Sequence, residues 1–78
     1  MTNVELLRQV LEELLRRGVT RERIAAELGW SMPTYYSRIS GESEWKATEI
    51  VKFTRLSGIN KELRDAIFLE ENVSETHI

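Results

Sequence analysis

The sequence contains no cysteine and only one histidine among its 78 residues. Without cysteine, neither a disulfide nor a thiolate metal site can add stability, so stability must come from helix packing, with dimerisation as a further source. The histidine, His77, lies one residue from the end of the sequence, where nothing orients its ring. Gly-rich phosphate loops and nucleophile–base pairs are also missing. We therefore expect no enzyme, no catalytic residue, no cofactor and no bound metal.

The uncharged stretches of the sequence are short, and none approaches the length that spans a bilayer. No signal peptide opens the sequence. We therefore expect a cytoplasmic protein without a membrane partner. A sequence of 78 residues makes a single domain, near the lower size limit for a self-supporting core.

An excess of positive charge is missing as well, because the formal net charge is −2. All 11 Lys and Arg residues precede position 70, whereas Glu70, Glu71 and Glu75 follow it. Residues 70–78 are expected to form a flexible acidic tail behind a domain at residues 1–69. Phosphate attraction supplies much of protein–DNA affinity, so DNA binding by this domain should be modest or depend on a dimer.

What the sequence does contain is helical periodicity, which predicts an all-α, compact fold of five helices. The predicted helices cover about residues 3–17, 21–28, 32–40, 47–57 and 61–69. A capping box over Thr2–Glu5 is expected to open the first helix. Lys46 occupies the cap position of the fourth helix, where it offers no capping oxygen and where fraying is expected. The other starts have good capping side chains, namely Thr20, Ser31 and Asn60.

Apolar side chains at helical spacing predict the inward face of each helix. Trp30, Tyr35 and Trp45 are interpreted as core residues, with Trp45 folding back from the loop as a hydrophobic plug. Two of the predicted inward faces consist of Val4, Leu7, Leu11, Leu14 and Leu15 in the first helix, and of Ile50, Val51, Phe53 and Leu56 in the fourth.

Residues 20–41, TRERIAAELGWSMPTYYSRISG, are typical of a helix-turn-helix. Gly29 suits the left-handed residue that ends the first helix of the pair. Ser31 is a good N-cap for the second helix, and Pro33 falls in its first turn, where a missing N–H costs little. Ala25 is small enough to lie where the two helices meet. A unit of this kind usually places its second helix in the major groove of DNA.

This segment resembles the lambda repressor/Cro-like (XRE-type) helix-turn-helix family. The resemblance extends over about residues 4–73, where the further matching segments are Arg38-Ile39-Ser40-Gly41, Glu44-Trp45, Glu49-Ile50, Ala66-Ile67-Phe68 and Val73. These segments are similar to small regulators of phages and integrated elements in Gram-positive bacteria, which act as Cro-like repressors or as antirepressors. Trp30, Tyr35 and Ser40 stand where the family has Val, an aliphatic residue and Asn. The positions that match the family pattern directly are Thr20, Ile24, Ala25, Leu28, Gly29, Ser31, Thr34 and Gly41.

The resemblance implies contacts with double-stranded DNA on both bases and phosphates. Positions that would touch base edges hold Met32, Pro33, Tyr36 and Ser37. None of these side chains pairs bidentately with a base, so weak or shape-dependent sequence reading is expected. The residues expected at phosphates are Arg21, Ser31, Thr34, Arg38, Ser40 and Lys46.

Three functions are compatible with the sequence. The first is a small transcriptional regulator, encoded by a phage or mobile element, that binds operator DNA as a homodimer. The second is an antirepressor that binds a larger partner repressor, because Met and Tyr on the outer face of the recognition helix suit a protein interface. An antitoxin is the third.

Overall fold

The computed structural model describes residues 2–69, and within them the all-α prediction is confirmed. These residues form five helices, which are α1 (Val4–Arg16), α2 (Arg21–Leu28), α3 (Met32–Ile39), α4 (Ala47–Ser57) and α5 (Lys61–Phe68). Each observed boundary lies within one residue of its prediction. The predicted acidic tail, residues 70–78, lies outside the described residues. No helix within residues 2–69 combines the length and the apolar character needed to cross a membrane.

Three of the predicted caps are confirmed, but the capping box at the start of α1 is wrong. Thr20, Ser31 and Asn60 each accept a hydrogen bond from the backbone N–H three residues later. At α1 the cap is Asn3, whose side chain accepts from the Leu6 N–H over 3.2 Å. The Asn3 backbone N–H donates to the Ile67 carbonyl at 2.6 Å, so contact with α5 sets the first turn one residue later than the box predicts.

An aromatic cluster from four segments fills the centre of the domain. Trp45, in the loop between α3 and α4, packs edge to face on Trp30 and Phe53 at centroid distances of 4.9 and 5.3 Å. Its ring also lies 4.8 Å from that of Phe68 in α5. Trp30, Tyr35 and Trp45 are all buried, which confirms their assignment to the core and the role of Trp45 as a plug.

Two predicted core residues are instead on the surface. Leu15 is 37% exposed and Val51 is 48% exposed. In α1 the inward direction is already occupied by Leu14, and the next residue of a helix is rotated by about 100°. In α4 the buried residues are Glu49, Phe53 and Ser57, which recur every four positions and leave Val51 on the opposite side.

Candidate nucleic-acid interface

The turn between α2 and α3 is closed by two backbone hydrogen bonds. The Trp30 N–H donates to the Ala25 carbonyl over 2.8 Å, and the Gly29 N–H donates to the Ala26 carbonyl over 3.2 Å. This pairing satisfies carbonyls at the end of α2 and requires a left-handed residue, which Gly29 supplies with φ of 75°. The predicted role of Gly29 is confirmed. The chain therefore enters α3 after a turn of only three residues.

The start of α3 is fixed by its own polar side chains. The Ser31 hydroxyl accepts from the Thr34 N–H over 3.3 Å and donates to the Thr34 hydroxyl over 3.1 Å. Ser31 is exposed and Thr34 is half-buried. Ser31 and Thr34, both predicted phosphate contacts, thus lie together at the N-terminus of α3, where unpaired backbone N–H groups favour an anion.

The outer face of α3 presents only part of the predicted base-contacting set. Tyr36 is 53% exposed, and Pro33, three positions earlier in α3, is also exposed. Met32 is half-buried because it packs against the core, and Ser37 is half-buried because its hydroxyl donates to the Ser43 hydroxyl over 2.8 Å. Pro33 and Tyr36 are consequently the side chains most available to a ligand on this face.

The opposite face of α3 anchors the helix. Tyr35 is almost fully buried and meets Trp30 edge to face at 6.3 Å. Burial raises the pKa of the Tyr35 phenol, and the nearby positive charge of Arg21 partly offsets this rise. A buried Tyr35 next to an exposed Tyr36 fixes which side of α3 points to solvent.

The remaining predicted phosphate contacts differ in their availability. Arg21 and Lys46 are exposed at the first position of α2 and at the cap of α4. Ser40 is exposed, and its hydroxyl donates to the Ser37 carbonyl over 3.2 Å. Arg38 is different, because only 13% of its side chain is exposed.

The Arg38 guanidinium is bound inside the domain. Its Nε donates to Glu49 Oε1 over 3.0 Å, and Nη2 donates to Glu49 Oε2 over 3.2 Å. Its Nη1 donates to the Ser43 hydroxyl over 2.8 Å, and the group lies 5.7 Å from the centroid of Trp30. In this arrangement Arg38 is not a surface cation, so we remove it from the expected phosphate contacts.

Glu49 is the residue at which three segments meet. Besides the two bonds from Arg38, its Oε2 accepts from the Trp30 indole N–H over 3.0 Å. Its Oε1 accepts from the Lys46 backbone N–H over 2.9 Å. One carboxylate therefore links the α2–α3 turn, α3 and the start of α4, where it accepts from the N–H of the cap residue itself.

The protonation of Glu49 reflects these bonds. Burial alone would raise the pKa of this carboxyl group, but the hydrogen bonds from Arg38, Lys46 and Trp30 and the charge of Arg38 outweigh burial and lower the pKa to about 2. The same contact raises the pKa of Arg38. Both groups are charged at neutral pH, as a fully bonded buried pair requires.

The family resemblance includes Glu49 but assigns it no structural role, although part of that role had a local signal. A glutamate three residues after a cap position can accept from the cap N–H even when the cap itself lacks an oxygen. The contacts with Trp30 and Arg38 join residues 19 and 11 positions apart, and no periodicity indicates them.

Within residues 2–69, no group of three metal-binding side chains is placed to hold an ion. Comparison with models of protein families, with curated proteins and with solved structures finds no match to this chain. The functional argument therefore depends on the chemistry of the α2–α3 pair and its surroundings.

Proposed function

We propose that the α2–α3 pair is a DNA-binding helix-turn-helix of the lambda repressor/Cro-like kind. The protein would then be a small transcriptional regulator of a phage or mobile element. The observation that carries this proposal is the two-sided character of α3, where Tyr35 is buried and Pro33 and Tyr36 face solvent. The exposed α3 start, capped by Ser31, would meet the DNA backbone while the outer face enters the major groove.

The exposed side chains imply limited sequence reading. Pro33 offers apolar contact to thymine methyl groups, and Tyr36 offers a single hydroxyl. Neither makes the bidentate pair that contributes roughly 1–3 kcal/mol of discrimination per base. A homodimer with two α3 helices about 34 Å apart would compensate by reading two half-sites.

Because few cationic side chains are exposed at the proposed interface, the DNA affinity should depend only weakly on salt concentration. Arg21 and Lys46 are the exposed cations in the expected phosphate set once Arg38 is removed. Two phosphate contacts correspond to a slope of about −2 per protomer in a plot of log affinity against log salt. This value is a direct signature of the proposed binding mode.

The test is a fluorescence-anisotropy titration of the purified protein with the DNA upstream of its own gene. Arg21→Gln should weaken binding and make the salt slope shallower by about 0.9. Arg8→Gln removes the same charge from an exposed position on α1 and serves as the matched control, with no change expected. Equal effects of the two substitutions, or no binding by the wild-type protein, would reject the proposal.

Sequence preference is tested separately at Tyr36. Tyr36→Ala should reduce the preference for the upstream DNA over a random duplex, because it removes an exposed ring from the outer face of α3. Val51→Ala shortens another exposed side chain, on α4, and should leave the preference unchanged. If Tyr36→Ala keeps the preference for the upstream DNA over a random duplex, the outer face of α3 is not the surface that recognises sequence.

The second candidate is an antirepressor that binds a larger repressor protein. It is favoured by the exposed Tyr36 together with exposed Glu42 and Glu44 in the following loop, because carboxylates repel phosphates. The same titration with the neighbouring repressor added separates the two functions. An anisotropy increase that requires the repressor, or loss of the complex that the repressor forms with DNA by itself, would favour the antirepressor.

A further inference from the structure

Arg38 and Glu49 form a polar junction between α3 and α4. The carboxylate accepts from Trp30, from the Lys46 backbone and twice from Arg38, at distances from 2.9 to 3.2 Å. Only 9% of the Glu49 side chain is exposed. Since the three donor residues belong to different segments, this one side chain links α3 to the start of α4 and to the α2–α3 turn.

The junction also holds the positive charge of the Arg38 guanidinium within the domain. Arg38 belongs to α3 and directly follows Ser37, which lies at the edge of the proposed DNA-binding face. Its three nitrogens are bound to Glu49 and Ser43, and the Arg38 carbonyl accepts from the Trp45 indole N–H over 3.2 Å. Backbone and side chain of Arg38 are thus both held within the domain.

We propose that Glu49 is a specificity-determining positioning residue: it fixes the orientation of α3 and withholds the Arg38 guanidinium from DNA phosphates. This inference rests on the proposed DNA-binding function. A phosphate contact strengthens binding to every sequence, whereas a fixed α3 favours only the sequences that fit its outer face. Glu49 therefore shifts the balance from general attraction towards sequence preference.

The test uses Glu49→Gln, which keeps the shape of the side chain and removes its charge. With Arg38 released, affinity for a random-sequence duplex should rise, by about eightfold at about 0.1 M salt for one added phosphate contact, and the salt slope should steepen by about 0.9. The preference for upstream DNA over the random duplex should fall several-fold. Glu12→Gln changes the net charge equally at an exposed position on α1 and should leave the slope and the preference unchanged.

A rescue experiment separates charge release from structural damage. In the double variant Glu49→Gln with Arg38→Gln, the salt slope should return to the wild-type value because the released cation is gone. A merely structural role of Glu49 would weaken binding without steepening the slope, and Arg38→Gln would not reverse it. A salt slope in Glu49→Gln equal to that in Glu12→Gln would overturn the inference.

The single variant Arg38→Gln gives an independent answer and does not require Glu49→Gln to fold. Because the wild-type guanidinium is held by Glu49, Arg38→Gln should leave the salt slope unchanged. A slope shallower by about 0.9 would show that Arg38 already contacts phosphate and would overturn the inference while leaving DNA binding intact. Absence of wild-type binding to any duplex would instead reject the proposed function.

Discussion

Protonation of Glu49 should destabilise this domain in acid. Its folded-state pKa of about 2 lies below the ordinary value of 4.5. A carboxyl group with a lowered pKa stabilises the folded state fully above its unfolded pKa and loses that contribution as the pH falls through the folded value. The affected window therefore extends from about pH 5 down to about pH 2.

The size of the effect follows from the two pKa values. Each unit of difference corresponds to about 1.4 kcal/mol, so the shift from 4.5 to about 2 corresponds to about 3 kcal/mol of unfolding free energy at neutral pH. The side chain is only 9% exposed, so solvent screens these interactions little. A domain of this size has only about 5–15 kcal/mol of stability in total.

The assay is urea unfolding followed by tryptophan fluorescence, because Trp30 and Trp45 are both buried. Wild type and Glu49→Gln are compared from neutral pH to about pH 2. The difference in unfolding free energy between them should shrink by about 3 kcal/mol as the pH falls, while contributions from the other carboxyl groups cancel. Glu13→Gln is the control, because Glu13 pairs with Arg16 and Arg17 at the exposed surface of α1 and should show a much smaller change. A difference between wild type and Glu49→Gln that stays constant with pH would refute the reasoning.

Two further predictions concern packing, and both are checked by urea unfolding. Gly41→Ala should destabilise the domain more than Gly29→Ala. Both glycines have positive φ, which costs about 1–2 kcal/mol for alanine. Of the two, only Gly41 has a neighbour that the new Cβ would meet, Val4 Cγ2 at 3.1 Å. Equal losses of unfolding free energy in the two variants would show that the Val4 side chain moves away from the new Cβ at no cost. Phe53→Ala should lower the unfolding free energy by about 3–5 kcal/mol, because this fully buried ring packs against Trp45 and Phe68. Phe53→Leu, which leaves a smaller cavity, should cost much less. Similar losses of unfolding free energy in both variants would contradict a tightly packed site.

Helix boundaries were predictable because their signals are local. The oxygen of Ser31 satisfies an N–H only three residues away, and the φ that Gly29 adopts is one that few other residues tolerate. The same holds for Asn60 at the start of α5. None of these contacts depends on the rest of the fold, so the residue type alone indicates them.

The inward faces were less predictable because apolar character does not fix direction. Val51 is as hydrophobic as Ile50, yet α4 turns Glu49 inward and leaves Val51 half exposed. Glutamate is rarely buried unless it is paired, and its partner, Arg38, lies in another helix. Val51 is exposed because α4 buries Phe53 on the opposite side. The role of Glu49 was not foreseen because its ion pair joins two helices and no local pattern reveals it.

That ion pair changes the functional argument as well as the packing. The family resemblance implies that Arg38 contacts DNA phosphates, but in the structure its guanidinium is bound to Glu49 and Ser43. The proposed interface then has Arg21 and Lys46 as its exposed cations and Tyr36 as its largest exposed side chain. Such a surface attracts phosphates weakly, so operator binding requires either two copies acting together or a partner protein. The salt slope distinguishes these cases, because a dimer doubles the number of released counterions, whereas binding to a repressor protein need not follow the phosphate count.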